Sequence, residues 1–432
     1  MKNNSFTFID LFSGIGGFRI ACESLGGKCI GFSEIDKKAV SVYKDNFDTN
    51  DELEIGDITK VSNGTYADIL LGGVPCQSWS IAGRMRGFDD PRGKLWLDTI
   101  NYTKQAQPKA FVYENVKGLA DPRNKPNLDL IISEFNNLGY NLYYQVLNAF
   151  DFGLPQSRER LFIVGIRKDL DNHTFVFPEK HKSLPFLLDI LDGGTKTTHE
   201  VDNHIDYKNS FNIAAIANKG NFYIFSDVRN GDHTIHSWDL VDTNAKEKRI
   251  CLMMLKNRRK PMYGSQDGNP MSYKDISKLF VDTAMINIMG DDNSIQQSDL
   301  ECLVEKKILR RVDEKYEFTN SKISSGINGI YRIFLPESHV FSTLTKSGTR
   351  DYISEISIPA NIKDKKRFFI EEIYLKKRYR QITVKEGSKL QGFPDSFIFN
   401  TNYSTSMGLL GNALAVNVVK LIIANLLKSI KK

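Results

Sequence analysis

Cys76, Glu114 and a glycine-rich turn near the start are the residues through which this chain could do chemistry. Asp10-Leu11-Phe12-Ser13-Gly14-Ile15-Gly16-Gly17-Phe18 reads as a strand end that enters a turn and then a helix. Glycines at such a place let backbone approach a nucleotide-like ligand closely. Glu34 lies 20 residues past Gly14 at the end of the second apolar strand, where a carboxylate can accept from ribose hydroxyls. Taken alone, this fits NAD as well as S-adenosylmethionine. The spacing is Gly-x-Gly-Gly and not GxGxxG, which weakens the dinucleotide reading. Asp57, after Gly56, is placed to meet an adenine amino group, although a turn residue is equally expected there. Pro75-Cys76-Gln77-Ser78 follows Gly72-Gly73 at another strand end. A lone cysteine is usually an inert buried residue. A strand-end loop, however, faces the ligand crevice of an open α/β sheet. Only a few per cent of an ordinary thiol is thiolate at neutral pH, and Arg158 and Arg160 are candidate cations to raise that fraction. Glu114-Asn115-Val116 ends the strand that follows.

A thiol, a carboxylate and a methyl-donor site together make one reaction sensible. The C5 carbon of cytosine is a poor nucleophile. Thiolate addition at C6 turns the ring into an enamine whose C5 is nucleophilic. A hydrogen bond or proton from Glu114 at ring N3 would lower the barrier to that addition. The histidines show no metal-ligand spacing, so no metal is expected.

The elements that must position these groups can be read from hydrophobic periodicity. Strands are expected at Phe6–Phe12, Cys29–Ser33, Ala67–Leu71, Ala110–Tyr113, Tyr140–Ala149 and Arg160–Ile166. Helices are expected at Gly17–Leu25, Lys37–Phe47, Leu95–Gln105 and Leu128–Leu138. The alternation argues a mostly parallel sheet with helices on both faces. After about residue 170 the rhythm breaks. Residues 1–190 are assigned to a catalytic, cofactor-binding domain, 191–379 to a second, smaller domain, and 380–432 to a segment returning to the first. Near 246–320, a helix at Ser272–Phe280, a capping pattern at Ser298–Glu301 and a hairpin across Asp313-Glu314-Lys315 resemble a winged helix. A long apolar helix is expected from Gly411-Asn412 to about Ile430, docked on the first domain.

Composition bounds the answer. The chain has 432 residues, 41% hydrophobic and 25% charged, enough for two or three domains and against wholesale disorder. No apolar run approaches the about 20 residues that span a bilayer, and the start shows no signal-peptide pattern. Five scattered cysteines without CxxC argue against a disulfide framework or a zinc site and for a reducing compartment. A net charge of +6 permits a nucleic-acid partner without requiring one. Basic and aromatic residues interleave over Lys363–Arg380.

In order, these motifs resemble those of the DNA (cytosine-5)-methyltransferases of bacterial restriction-modification type. Asp10–Phe18 is similar to the cofactor motif, Glu34 to the ribose-binding acid, Asp57-Ile58 to the adenine-edge position, and Gly73-Val74-Pro75-Cys76-Gln77 to the nucleophile motif. Arg92–Trp96 resembles the segment lining the cofactor pocket, Glu114-Asn115-Val116 the carboxylate motif, and Gln156-Ser157-Arg158-Glu159-Arg160 the QxRxR motif. Arg380 to Leu390-Gln391-Gly392-Phe393-Pro394 and Gly411–Val416 resemble the last two, with Asn417 departing from a common proline. The resemblance covers roughly half the chain. It implies a Rossmann-like S-adenosylmethionine-dependent methyltransferase sheet with a smaller target-recognition domain. It implies methyl transfer to cytosine C5 in a specific duplex DNA sequence by base flipping, with S-adenosylhomocysteine as product. The residues carried over are Cys76, Glu114, Arg158 and Arg160 for catalysis. Those for the cofactor are Phe12, Gly14, Gly16, Gly17, Glu34, Asp57, Ile58, Pro75, Leu95, Asn412 and Ala413. A lid at about Ser78–Arg92 is implied, and Ser78, Arg84, Arg86, Thr343, Leu344 and Arg350 are expected at DNA. Thr234–Asp239 is a second candidate DNA segment. A monomer in the bacterial cytoplasm is expected, with no membrane and no stably bound partner, though a restriction endonuclease could act on the same site. A tRNA methyltransferase on the same scaffold and a non-catalytic DNA-binding homologue are the alternatives.

Overall fold

The computed structural model describes residues 6–75, 94–181, 183–192, 222–225, 227, 231, 233–266, 268–282, 294–320, 326–347 and 350–430. The chain divides into two compact units. The first contains residues 1–213, 339–349 and 382–432, and the second contains 214–338 and 350–381.

The first unit is built on strands β1 (Phe6–Leu11), β2 (Gly27–Ser33), β3 (Leu53–Glu54), β4 (Ile69–Gly73), β5 (Ala110–Val116), β6 (Tyr140–Asn148) and β7 (Glu159–Arg167). Helices α1 (Gly17–Ser24), α2 (Lys37–Asn46), α3 (Leu95–Ala106) and α4 (Lys125–Asn137) lie between them. The sheet order is β3-β2-β1-β4-β5-β7-β6. The first five of these pair in parallel, as crossover helices require. β7 runs antiparallel between β5 and β6. Strand periodicity reports which residues face the core but not chain direction, so the mostly parallel reading did not extend to this reversal. The core on one face is aromatic: Phe111 stacks on Tyr113 at 4.7 Å and lies 4.5 Å from Phe135. The order reverses at β1–β4, which is where ligands sit in open α/β sheets.

The C-terminal helix starts later than expected, because Gly411 and Asn412 close a preceding helix. Tyr403–Asn412 ends where the long helix was expected to open, and Val416–Ser429 follows. Ala413 and Ala415 are extended. The break has a cause in Arg158, whose guanidinium takes the carbonyls of Gly411 and Ala413. Val416–Ser429 buries Val418, Val419, Ile422, Ile423 and Leu426.

In the second unit, strands Phe222–Phe225, Thr234–Ile235, Arg332–Phe334, Asp351–Ser354 and Tyr379–Arg380 form one sheet. A separate cluster runs helix Ala245–Asn257, strand Met271–Ser272, helices Tyr273–Asp282 and Gln297–Glu305, then strands Leu309–Val312 and Lys315–Phe318. The first short strand pairs with the last, and this is the order of a winged helix. Its core is built from Trp238, Ile250, Met254, Ile276, Phe280, Leu300, Leu303 and Phe318.

Candidate active site

β1 ends in a turn of unusual conformation. Phe12, Gly14 and Gly16 have φ of 51°, 54° and 89°. Glycine takes such angles freely, but a phenylalanine pays for them, and strain of this kind concentrates at functional sites. A side chain at Gly14 would meet open space, so the turn offers bare backbone. One at Gly16 would strike the Phe47 ring at 2.3 Å, and one at Gly17 would press on Leu414 at 3.0 Å. Helix α1 is therefore seated close to its neighbours because these positions lack Cβ.

Glu34 leaves β2 and accepts from the amides of Gly14 (2.9 Å), Ile35 (2.8 Å) and Asp36 (2.8 Å). Its carboxylate thereby fixes the β1 turn to the end of β2. Ile35 beside it is 73% exposed, an apolar surface next to a carboxylate. Asp57 accepts from the Thr59 amide (3.0 Å) and hydroxyl (2.7 Å), and these bonds hold its carboxyl below the usual range. Ile58 is buried behind it. Leu95 opens α3 and Pro75 closes the described part of the strand-end loop. Asp10 and the Ser13 hydroxyl are buried under the turn with no hydrogen-bond partner among the described residues. Burial lifts the Asp10 carboxyl well above its usual range despite nearby Arg19.

β4 and β5 bring the other half together. Gly73 pairs with Glu114 across them. Asn115 donates to the Val74 carbonyl at 3.1 Å, binding the carboxylate strand to the turn that leads into Cys76. Glu114 forms an ion pair with Arg160 of the neighbouring β7, Nε to carboxylate 2.9 Å, both largely shielded. Cys76, Ser78, Arg84 and Arg86 lie outside the described residues. The four described cysteines are poor nucleophiles. Burial pushes Cys22 and Cys251 well up and Cys29 up to about 12, and Glu247 raises Cys302.

Arg158 and Arg160 do different things. Arg158 is 2% exposed, and besides Gly411 and Ala413 it takes the Leu344 carbonyl at 3.1 Å. Gln156 donates to the Leu390 carbonyl and accepts from the Leu344 amide. Thr343 donates its hydroxyl to the Ser157 carbonyl. Thus 156–158 is a clamp that gathers three distant chain segments within the first unit. Leu344 is buried, the half-buried Thr343 is engaged by this clamp, and Thr345–Ser347 form the exposed tip. Arg350, in the second unit, is exposed. Asn412 and Ala413 sit at the end of helix Tyr403–Asn412. In the second candidate DNA segment, Thr234, His236, Ser237 and Trp238 are buried. Buried Asp227 accepts from the Ser237 amide and hydroxyl, and His236 stacks on Trp238 at 4.2 Å.

Sequence reading missed Ile35 and the tie from Asn115 to Val74. The first was signalled only by an apolar residue next to Glu34. The second had no signal, because a backbone carbonyl acceptor leaves no trace in residue type.

The model of the C-5 cytosine-specific DNA methylase family matches residues 6–428. The chain belongs to that family. Type II methyltransferase M.HgiBI of Herpetosiphon aurantiacus is 46% identical over 426 residues, 96% of this chain and 95% of the relative. Type II methyltransferase M.NlaIV of Neisseria lactamica is 33% identical, over 98% of this chain and 99% of the relative. Among solved structures, the Entamoeba histolytica methyltransferase EhMeth superposes with a TM-score of 0.53 at 16% identity, covering 98% of each chain. A DNA modification methyltransferase encoded within an E. coli prophage gives 0.51 at 20% identity, covering 98% of this chain and 99% of that one. The methylase fold thus accounts for the mixed sheet and for the position of the glycine turn at its centre. Among the described residues of this methylase, no group of three His, Cys, Asp or Glu gathers to hold a metal.

Proposed function

We propose that the protein transfers a methyl group from S-adenosylmethionine to C5 of cytosine within a specific duplex DNA sequence, through a covalent bond from Cys76 to C6. The pairing of Gly73 with Glu114 carries the reading, because it sets the strand leading to Cys76 beside a carboxylate. The residues around the β1 turn fit the cofactor. Glu34 and Asp57 offer carboxylates to ribose hydroxyls and an adenine amine, exposed Ile35 offers an apolar face, and Phe12 and Gly14 present the strained open turn. Gly16, Gly17, Ile58, Pro75, Leu95, Asn412 and Ala413 would complete the pocket. S-adenosylmethionine supplies an electrophilic methyl group when bound there.

The chain's own residues do the rest. The target cytosine leaves the duplex at a cost of a few kcal/mol. Glu114, oriented by Arg160, accepts from the N4 amine and, when protonated, donates to N3. Electron demand at N3 lets the Cys76 thiolate add to C6, and the displaced π electrons make C5 nucleophilic. After C5 is methylated, a base removes its proton and the thiolate leaves, restoring the aromatic ring. The enzyme would act as a monomer in the bacterial cytoplasm, as the modification partner of an endonuclease that reads the same sequence without a stable complex.

Labelled methyl donor offered with duplex DNA and with tRNA tests the substrate class. Incorporation into duplex DNA is expected, and labelling of tRNA alone would overturn the assignment. With 5-fluorocytosine in the target duplex, C5 has no proton to lose. A denaturation-resistant adduct should then map to Cys76.

A further inference from the structure

Which face of the winged helix meets DNA can be argued from charge. In a helix-turn-helix the second helix of the pair enters the major groove. Here that helix is Gln297–Glu305, and it carries Asp299, Glu301 and Glu305 with no lysine or arginine. Asp299 pairs with Lys246 at 2.8 Å, and Glu301 pairs with Arg311 and accepts from Tyr316. Glu305 stands exposed. Asp299 and Glu301 are each matched by a basic partner, but exposed Glu305 and the lack of any lysine or arginine leave this helix with nothing positive to meet the phosphates on either side.

The opposite sign is concentrated elsewhere. Ala245–Lys260 contains seven Lys or Arg and one Glu, an excess of six that equals the net charge of the whole chain. Several of the seven are held within the subdomain. Lys246 holds Asp299, Arg249 lies over the Phe280 ring at 4.1 Å, and Arg258 is buried near Phe318. Lys248, Lys256, Arg259 and Lys260 are exposed. Lys248, Lys256 and Lys260 have no ion pair among the described residues. Lys248, Leu252 and Lys256 recur at helical spacing, so they share one face of the helix, and Arg259 and Lys260 follow in the turn beyond its end. Lys248 to Lys256 spans about 12 Å at 1.5 Å per residue, about the rise of three to four nucleotides along the duplex axis.

We infer that the second unit grips the phosphate backbone of duplex DNA through the solvent face of helix Ala245–Asn257 and Lys260, while the acidic helix Gln297–Glu305 stays out of the groove. This rests on the reading of duplex DNA as substrate. The contact is independent of base sequence, since phosphates carry no sequence information. It adds affinity around the target and leaves the choice of target to other residues.

The full-length protein is titrated onto a labelled 30-base-pair duplex of arbitrary sequence at several salt concentrations. The quadruple variant Lys248→Gln/Lys256→Gln/Arg259→Gln/Lys260→Gln should lower the slope of log affinity against log salt by about 3 to 4, at about 0.9 per contact. A variant with lysines 248, 256 and 260 changed to arginine should keep the wild-type slope, which separates charge from folding. Glu305→Gln should leave affinity within twofold. An unchanged slope in the quadruple variant would overturn the inference. So would a tenfold gain in affinity from Glu305→Gln, which would place the acidic helix at the phosphates. Failure of the wild-type protein to bind duplex DNA at all would count against the substrate reading itself.

Discussion

Glu114 and Arg160 sit on adjacent antiparallel strands and meet at 2.9 Å, so each orients the other. If Glu114 handles the N3/N4 edge of the base, Glu114→Gln should lower kcat by about 10²–10⁴-fold, the range for a positioned acid–base group. Calorimetry should show S-adenosylmethionine binding unchanged, because Glu114 is not among the residues assigned to the cofactor. A large loss of cofactor affinity would move Glu114 out of the chemical step. A second side chain is informative by its absence. A Cβ at Gly411 would lie 2.2 Å from the Thr345 backbone, which cannot yield as a flexible side chain could. Gly411→Ala should therefore cost about 1–3 kcal/mol, typical of overpacking, and lower Tm in a thermal melt. A neutral result would mean that the 339–349 segment is not held against this helix. Glycine in a motif was legible in the sequence; what it makes room for was not.

At the scale of elements, the first strands and helices were legible because apolar residues recur at two- and 3.6-residue periods. The clamp was not legible in that way. Gln156 and Arg158 bind backbone carbonyls and amides of residues 344, 390, 411 and 413, and backbone groups are the same whatever the residue. That is why the helix expected to open at Gly411-Asn412 opens at Val416. The junction at Thr234–Asp239 makes the same point. Its hydroxyl and histidine groups face protein partners, where surface exposure had been expected. Burial opposes ionisation of Asp239, but the His236 hydrogen bond and Lys366 at 2.7 Å outweigh it and hold the carboxyl at about 2. This lies below the about 3.9 of an unfolded aspartate, so the stability it contributes is complete above that pH and is lost as pH falls toward 2. Asp239→Asn should reduce unfolding free energy at pH 7 by up to about 2 kcal/mol, with the difference vanishing near pH 2. Equal destabilisation at both pH values would exclude the ionised form as the source.

For the whole molecule, two units with separate cores predict that ligand stabilisation is local. The aromatic and aliphatic core around Phe111 belongs to the first unit, and the clusters around Phe318 and Phe369 belong to the second. S-adenosylmethionine at 100 times its Kd should stabilise the unit that binds it by about 2.7 kcal/mol. Scanning calorimetry should show one transition moving upward and another staying in place. A single transition that shifts as a whole would show that the two cores unfold together.

Residue types and their order determined the family and the central sheet and pointed to the carboxylate and thiol proposed for catalysis, because each of these is written in local spacing. Tertiary structure decided which arginine meets Glu114 and which gathers distant loops, and it decided the direction of β7. It also decided the burial of Leu344 and His236 and the separation of acidic from basic helices. The physical reason is common to all of these. They depend on backbone partners, chain direction and long-range burial, and none of those leaves a periodic signature in side-chain chemistry.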